Sequence, residues 1–164
     1  MPALRQAPEW TVSDWLNAGD PPPGLARLRG RIVYVLAFQM LCPGCAAHAI
    51  PQALRVRAAF SENDLAVIGL HTVFEHAQAQ GPKEALAAFL HEYKVRFPVA
   101  IDAPSAGGGV PRTMGAYNMQ GTPTTILIDR EGRLRLQRFG HVDDLSLGAM
   151  IAAMLGAAPG ESAN

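Results

Sequence analysis

The chain has 164 residues, 49% apolar and 17% charged, and its 14 basic and 14 acidic side chains cancel. That length supports one domain with a substantial core and no disulfide staples. The composition excludes a disordered or coiled-coil chain, and the charge balance excludes a bulk field that would draw it to nucleic acid or anionic membrane.

No apolar run reaches the roughly 20 residues a membrane-spanning helix needs. The N-terminus, MPALRQAPEWTVSDWL, has neither an apolar h-region nor a small-residue cleavage site. The expectation is a cytoplasmic monomer without nucleic-acid or membrane partners; a periplasmic location for a trimmed chain is the alternative. Cys42 and Cys45 are the only cysteines, which excludes a disulfide framework and leaves the pair as a dithiol in a reducing cytosol.

In chain order, residues 1 to 24 carry Trp10, Val12, Trp15 and Leu16 before an Asn17 to Gly24 cluster rich in proline and glycine. They read as a short strand or hairpin arm whose tryptophans cover one edge of the core, followed by a turn. Leu25 to Gly30 is a further turn. Arg31 to Phe38 is nearly all apolar and β-branched, so this strand is expected to be buried on both faces, within a parallel or mixed sheet flanked by helices.

Cys42-Pro43-Gly44-Cys45 ends that strand and opens a helix from Cys45 to Phe60, with Pro51 expected to kink it. The first cysteine then meets unpaired backbone N–H groups and the positive end of the helix dipole, which favour a thiolate over a thiol. Leu65 to Leu70 is a second buried strand, so the segment forms a βαβ unit with Cys42 and His71 beyond carboxyl strand ends, where reactive groups collect.

His71 to Ala79 is polar and irregular, Lys83 to Tyr93 is a helix with Leu86, Phe89 and Leu90 on one stripe, and Phe97 to Ile101 is a short strand. Asp102 to Arg112 is a glycine-rich loop without the lysine and hydroxyl of a phosphate-cradling loop. Thr113 to Tyr117 is a short helix. Thr125 to Asp129 and Leu134 to Phe139 form an antiparallel hairpin, and Val142 to Leu155 is an amphipathic helix capped by Asp143 and Asp144. The tail from Gly156 is expected to be disordered. The arginines at 27, 29 and 31 and at 130, 133, 135 and 138 read as solvated strand and turn faces.

The C-x-x-C pair has redox, metal-binding and inert readings. Zinc needs two more ligands; no second cysteine pair supplies them, and His48 and His71 could complete a site on paper. A pair split by Pro43-Gly44 at a helix start fits redox chemistry better.

The order of strand, C-x-x-C helix, strand and helix, followed by Gly121-Thr122-Pro123-Thr124 entering a hairpin and a last helix, resembles the thioredoxin superfamily. The stretches LRGRIVYVLAFQMLCPGCAAHAIP and GTPTTILIDREGRL are similar to its TlpA/ResA-like disulfide reductases, related to the AhpC/TSA peroxiredoxins. The resemblance covers about residues 8 to 155. It implies a single thioredoxin-like α/β domain over 1–164 with an inserted strand-helix segment, a short N-terminal β extension and a disordered tail at 156–164.

The resemblance further implies that Cys42 is the attacking thiol and Cys45 the resolving one. Pro123 would be a cis-proline facing the pair, with Thr122, Pro43 and Gly44 lining the substrate site. No cofactor is implied. The partners would be a protein or small-molecule disulfide and an electron-donating thiol system. Departures from the pattern are Leu41 where tryptophan is usual, Leu36 and Ala37 where thioredoxins bury an acid, and His48 where a glutamate is common. His48, one turn beyond Cys45, is a candidate proton acceptor or donor; His71 and Glu75 are weaker ones. Two other function classes stand beside disulfide reduction. One is a peroxiredoxin-like, antioxidant thiol peroxidase using Cys45 or Cys42, although the threonine expected three positions before Cys45 is Cys42. The other is a non-catalytic binding module.

Overall fold

The computed structural model describes residues 3–157. Its centre is the strand β2 (Ile32–Phe38), buried at every position as its apolar sequence demands. It pairs in parallel with β3 (Leu65–His71), also wholly buried, and antiparallel with β5 (Thr124–Ile128). With β1 (Val12–Leu16), β4 (Val99–Asp102) and β6 (Leu134–Phe139) the described residues make a six-stranded mixed sheet in the order β1-β4-β3-β2-β5-β6. Both outer strands run antiparallel to their neighbours and are partly exposed, as sheet edges are.

Side-chain alternation along β2 divides the core in two. Ile32, Tyr34, Leu36 and Phe38 face helices α1 (Ile50–Ala59), α3 (Lys83–Glu92) and α5 (Asp144–Gly156). Val33, Val35 and Ala37 face the 3-10 turn Leu25–Leu28, the short helix α4 (Arg112–Ala116) and the N-terminal arm. Trp10 and Trp15 pack 6.2 Å apart over this second core, and Trp10 Nε1 donates to the Tyr117 hydroxyl. The mixed sheet between helices is the fold expected from the sequence.

Three local features differ from that expectation. The helix after the cysteines is not one kinked helix: Cys45–Ala49 is a π-helical turn in which Ile50 N donates to Cys45 O, and α1 starts after it. Pro51 has no N–H to donate, so the wider turn carries the chain to a point where Pro51 sits in the first turn of α1, a place that needs no donor. The polar stretch after β3 contains a one-turn helix, α2 (Ala77–Gln80), whose last residue is buried. The Arg130 guanidinium is not simply solvated; it donates to the carbonyls of Met154, Leu155 and Ala157 and closes the end of α5. The expected disordered tail lies, from residue 158 on, outside the described residues.

Candidate active site

Cys42 stands four residues beyond β2, and a turn in which its N–H donates to Gln39 O at 3.3 Å brings it back over the strand end. It is partly exposed, while Cys45, one helical turn on, is fully buried. The Cys45 backbone N–H donates to Cys42 Sγ at 3.3 Å, and Cys42 Sγ donates to the Thr122 carbonyl at 3.6 Å. Both thiols are free.

The second half of the site comes from the β5 side. Ala37 of β2 pairs with Thr124 of β5, so the residues just before β5 lie opposite the residues just after β2. The Thr122–Pro123 bond there is cis. A Cβ added to Gly44 would rest 3.8 Å from Pro123 Cδ, ordinary contact. Hence Cys42, Pro43-Gly44, Cys45 and Thr122-Pro123 converge, although about 80 residues of chain separate the two halves. Leu41, which stands at the tryptophan position, is 55% exposed at the rim.

Electrostatics distinguish the buried thiol. Burial pushes Cys45 up to about 12, the neighbouring Cys42 thiol adds to this, and the Gln39 backbone and Thr122 side chain partly oppose it. Cys45 is therefore a thiol at neutral pH unless a partner stabilises its anion.

The three other predicted groups lie apart. His48 is exposed, and its ring faces His141 at a centroid distance of 6.2 Å; no hydrogen bond joins it to either sulfur among the described residues. His71 is buried against the Phe38 ring at 5.2 Å, and burial pushes it down to about 4, so it is neutral at physiological pH. Glu75 is exposed and contributes only its backbone, accepting from Gln80 Nε2 and donating to Gln39 Oε1. Among the described residues no three His, Cys, Asp or Glu side chains form a group able to hold a metal. The two histidines named for a zinc site lie apart, His48 exposed and His71 in the core.

Two buried amides at the site escaped the sequence reading. Gln39, 1% exposed, donates from Nε2 to Thr122 Oγ1 at 3.1 Å. Gln80, also 1% exposed, accepts the Leu41 N–H at 3.0 Å. The available signal was Gln39 itself, a lone carboxamide closing an otherwise apolar strand.

A sequence model of the AhpC/TSA family matches residues 4–137. The chain belongs to the AhpC/TSA family. This AhpC/TSA protein also shares its whole architecture with solved structures. It is 52% identical to a thioredoxin-like superfamily protein, with a TM-score of 0.90 over 95% of this chain and 99% of the other. It is 43% identical to a thiol-disulfide isomerase from Corynebacterium glutamicum, with a TM-score of 0.87 over 93% and 98%. The fold is thus thioredoxin-like. Among curated relatives, Protein DipZ of Mycobacterium tuberculosis is 32% identical over 80% of this chain. The chain spans only 18% of DipZ's length.

Proposed function

We propose that this AhpC/TSA protein is a thiol:disulfide oxidoreductase that reduces or exchanges protein disulfides. The observation that carries the reading is one accessible thiol, Cys42, held against the backbone N–H of a fully buried second thiol, Cys45. The likeness to a thiol-disulfide isomerase at 43% identity supports it.

In this scheme the Cys42 thiolate attacks one sulfur of a partner disulfide, and the other sulfur leaves with the electron pair. The Cys45 N–H meets Cys42 Sγ and is placed to solvate negative charge there. Cys45 then attacks Cys42 Sγ, its proton passing to the partner sulfur that departs. The partner's remaining sulfur departs, so the partner gains two electrons and the enzyme keeps a Cys42–Cys45 disulfide. An external thiol system resets it.

Thr122, Pro123, Pro43 and Gly44 form the substrate rim of this reading. Pro123 presents no N–H, leaving the Thr122 backbone as the polar edge for an extended partner segment. His48, exposed beside His141 and hydrogen-bonded to neither sulfur among the described residues, enters this reading only as a group that exchanges protons with Cys42 through solvent; unchanged iodoacetamide pH profiles for Cys42 in His48→Ala would remove it. Peroxide attack by Cys45 lacks support, since that thiol is 0% exposed and pushed up to about 12. A cytoplasmic location belongs to the reading and is checked by cell fractionation.

The test is insulin reduction with dithiothreitol as reductant. Wild type accelerates it and Cys42→Ser does not; equal turnover by Cys42→Ser overturns the reading.

A further inference from the structure

The strand ladders end short of the thiols: the last β2–β5 pair is Ala37 with Thr124, and the last β2–β3 pair is Phe38 with His71. Beyond them lie the Cys42 loop, the Thr122–Pro123 turn and the chain that follows β3. The Gln39 and Gln80 carboxamides, both buried, bridge all three segments. Gln39 Oε1 accepts the backbone N–H groups of Phe74 at 3.1 Å and Glu75 at 3.2 Å, so Nε2 is the end that donates to Thr122 Oγ1 at 3.1 Å. Gln80 Oε1 accepts the Leu41 N–H at 3.0 Å. Its Nε2 donates to Glu75 O at 2.6 Å and to Gln39 Oε1 at 3.0 Å, which joins the two amides into one cluster.

The two ends of this cluster fall on either side of Cys42. On one side Gln80 ties the backbone of Leu41, whose side chain is exposed at the rim. On the other Gln39 ties the side chain of Thr122, whose carbonyl meets Cys42 Sγ at 3.6 Å. Gly140 N already donates to Pro123 O at 2.8 Å, so the backbone of Thr122 is the polar edge left for a partner. A buried polar cluster whose members satisfy one another is stiff, because breaking one bond strands its partners away from water. Attack on a small disulfide needs only the accessible sulfur of Cys42. Attack on a disulfide within a protein also needs the partner's backbone to lie along Thr122, and that requires Leu41, Cys42 and Thr122 in one fixed arrangement.

We propose that Gln39 and Gln80 are positioning residues for protein substrates: by bracing Leu41 and Thr122 on either side of Cys42, they hold the site ready for an extended partner segment. The inference rests on the thiol-exchange reading and deepens it by separating protein disulfides from small ones. In the step concerned, the Cys42 thiolate bonds to one sulfur of the partner, the partner's sulfur–sulfur bond breaks, and its other sulfur leaves with the electron pair.

The test compares two disulfides on the same variants. One is insulin, reduced with dithiothreitol over a range of insulin concentrations to give kcat and KM. The other is the small aromatic disulfide dithiobis(nitrobenzoate), mixed with reduced protein to give the rate at which attack by Cys42 releases the first coloured nitrothiobenzoate. Gln39→Met keeps the length of the side chain and removes every bond of its carboxamide. Gln80→Met frees Leu41 while leaving the Gln39 bonds to Thr122, Phe74 and Glu75 in place, and it serves if Gln39→Met does not fold. The expected result for each is a fall in kcat/KM for insulin about tenfold greater than any fall in the small-disulfide rate, carried by KM. The double variant should lose less than the product of the two single losses, because both remove the bond between the amides. Equal losses with both disulfides, a greater loss with the small one, or an unchanged KM for insulin overturn the inference and leave the exchange reading intact. Failure of wild type to react with either disulfide overturns the exchange reading itself, and the inference with it.

Discussion

The backbone N–H of Cys45 points at Cys42 Sγ from 3.3 Å, and the Cys45 side chain is fully buried beneath it. One residue thus supplies both a polar contact to the exposed sulfur and a second sulfur that solvent does not reach. This asymmetry follows from local structure. The helix opening leaves its first N–H groups free, and one further turn directs the second side chain into the core with Phe38 and Ile50.

The asymmetry predicts selective alkylation. Because Cys45 is held as a thiol up to about pH 12 and only thiolates react appreciably, native reduced protein treated with iodoacetamide at pH 8 should carry the label on Cys42 alone. Mass spectrometry of peptides before and after unfolding checks this. Comparable labelling of both in the native state contradicts it.

His71 predicts an acid-sensitive stability. Its folded value of about 4 lies below the ordinary 6.5 because burial disfavours the imidazolium. Between those values the unfolded chain binds more protons than the folded one, so this contribution is complete above about pH 6.5 and is lost as pH falls toward 4. The loss is about 3 kcal/mol. Urea melts from pH 7 to 4 should show it in wild type, and His71→Leu should flatten the dependence. An equally steep variant contradicts the assignment.

Asp102 predicts a structural cost remote from the thiols. Its buried carboxylate accepts the N–H groups of both Thr113 and Met114 at 2.8 and 2.9 Å and so starts α4. Asp102→Ala strands those donors and should lower stability by about 2 kcal/mol, with the rate of Cys42 alkylation unchanged. Denaturant midpoints together with labelling rates measure both.

Much of this was legible along the chain. The runs ending at Phe38 and Leu70 are nearly all apolar, as strands covered on both faces require, and they proved to be the adjacent parallel pair. The two halves of the site were visible as separate motifs, and the pairing of Ala37 with Thr124 brings them together. His71 reads as a residue at a strand mouth, yet alternation from Leu65 and Val67 puts it on the Phe38 face, inside the core. The Gln39–Gln80 contact joins residues 41 apart, and no local pattern announces a pair formed only when the loop after β3 folds back. The π-helical turn escaped for a related reason: Pro51 signals a break in regular hydrogen bonding without saying whether the chain bends or widens around it.

The central claim is that Cys42 attacks a partner disulfide and Cys45 releases the product. Its most direct test is a trapping measurement with Cys45→Ser, mixed with a disulfide-bonded protein such as insulin and analysed by non-reducing electrophoresis and peptide mass spectrometry. The account predicts a stable adduct, cleaved by dithiothreitol and linked through Cys42, whereas wild type accumulates little. An adduct that does not contain Cys42, or none at all under conditions where wild type reduces insulin, would contradict it.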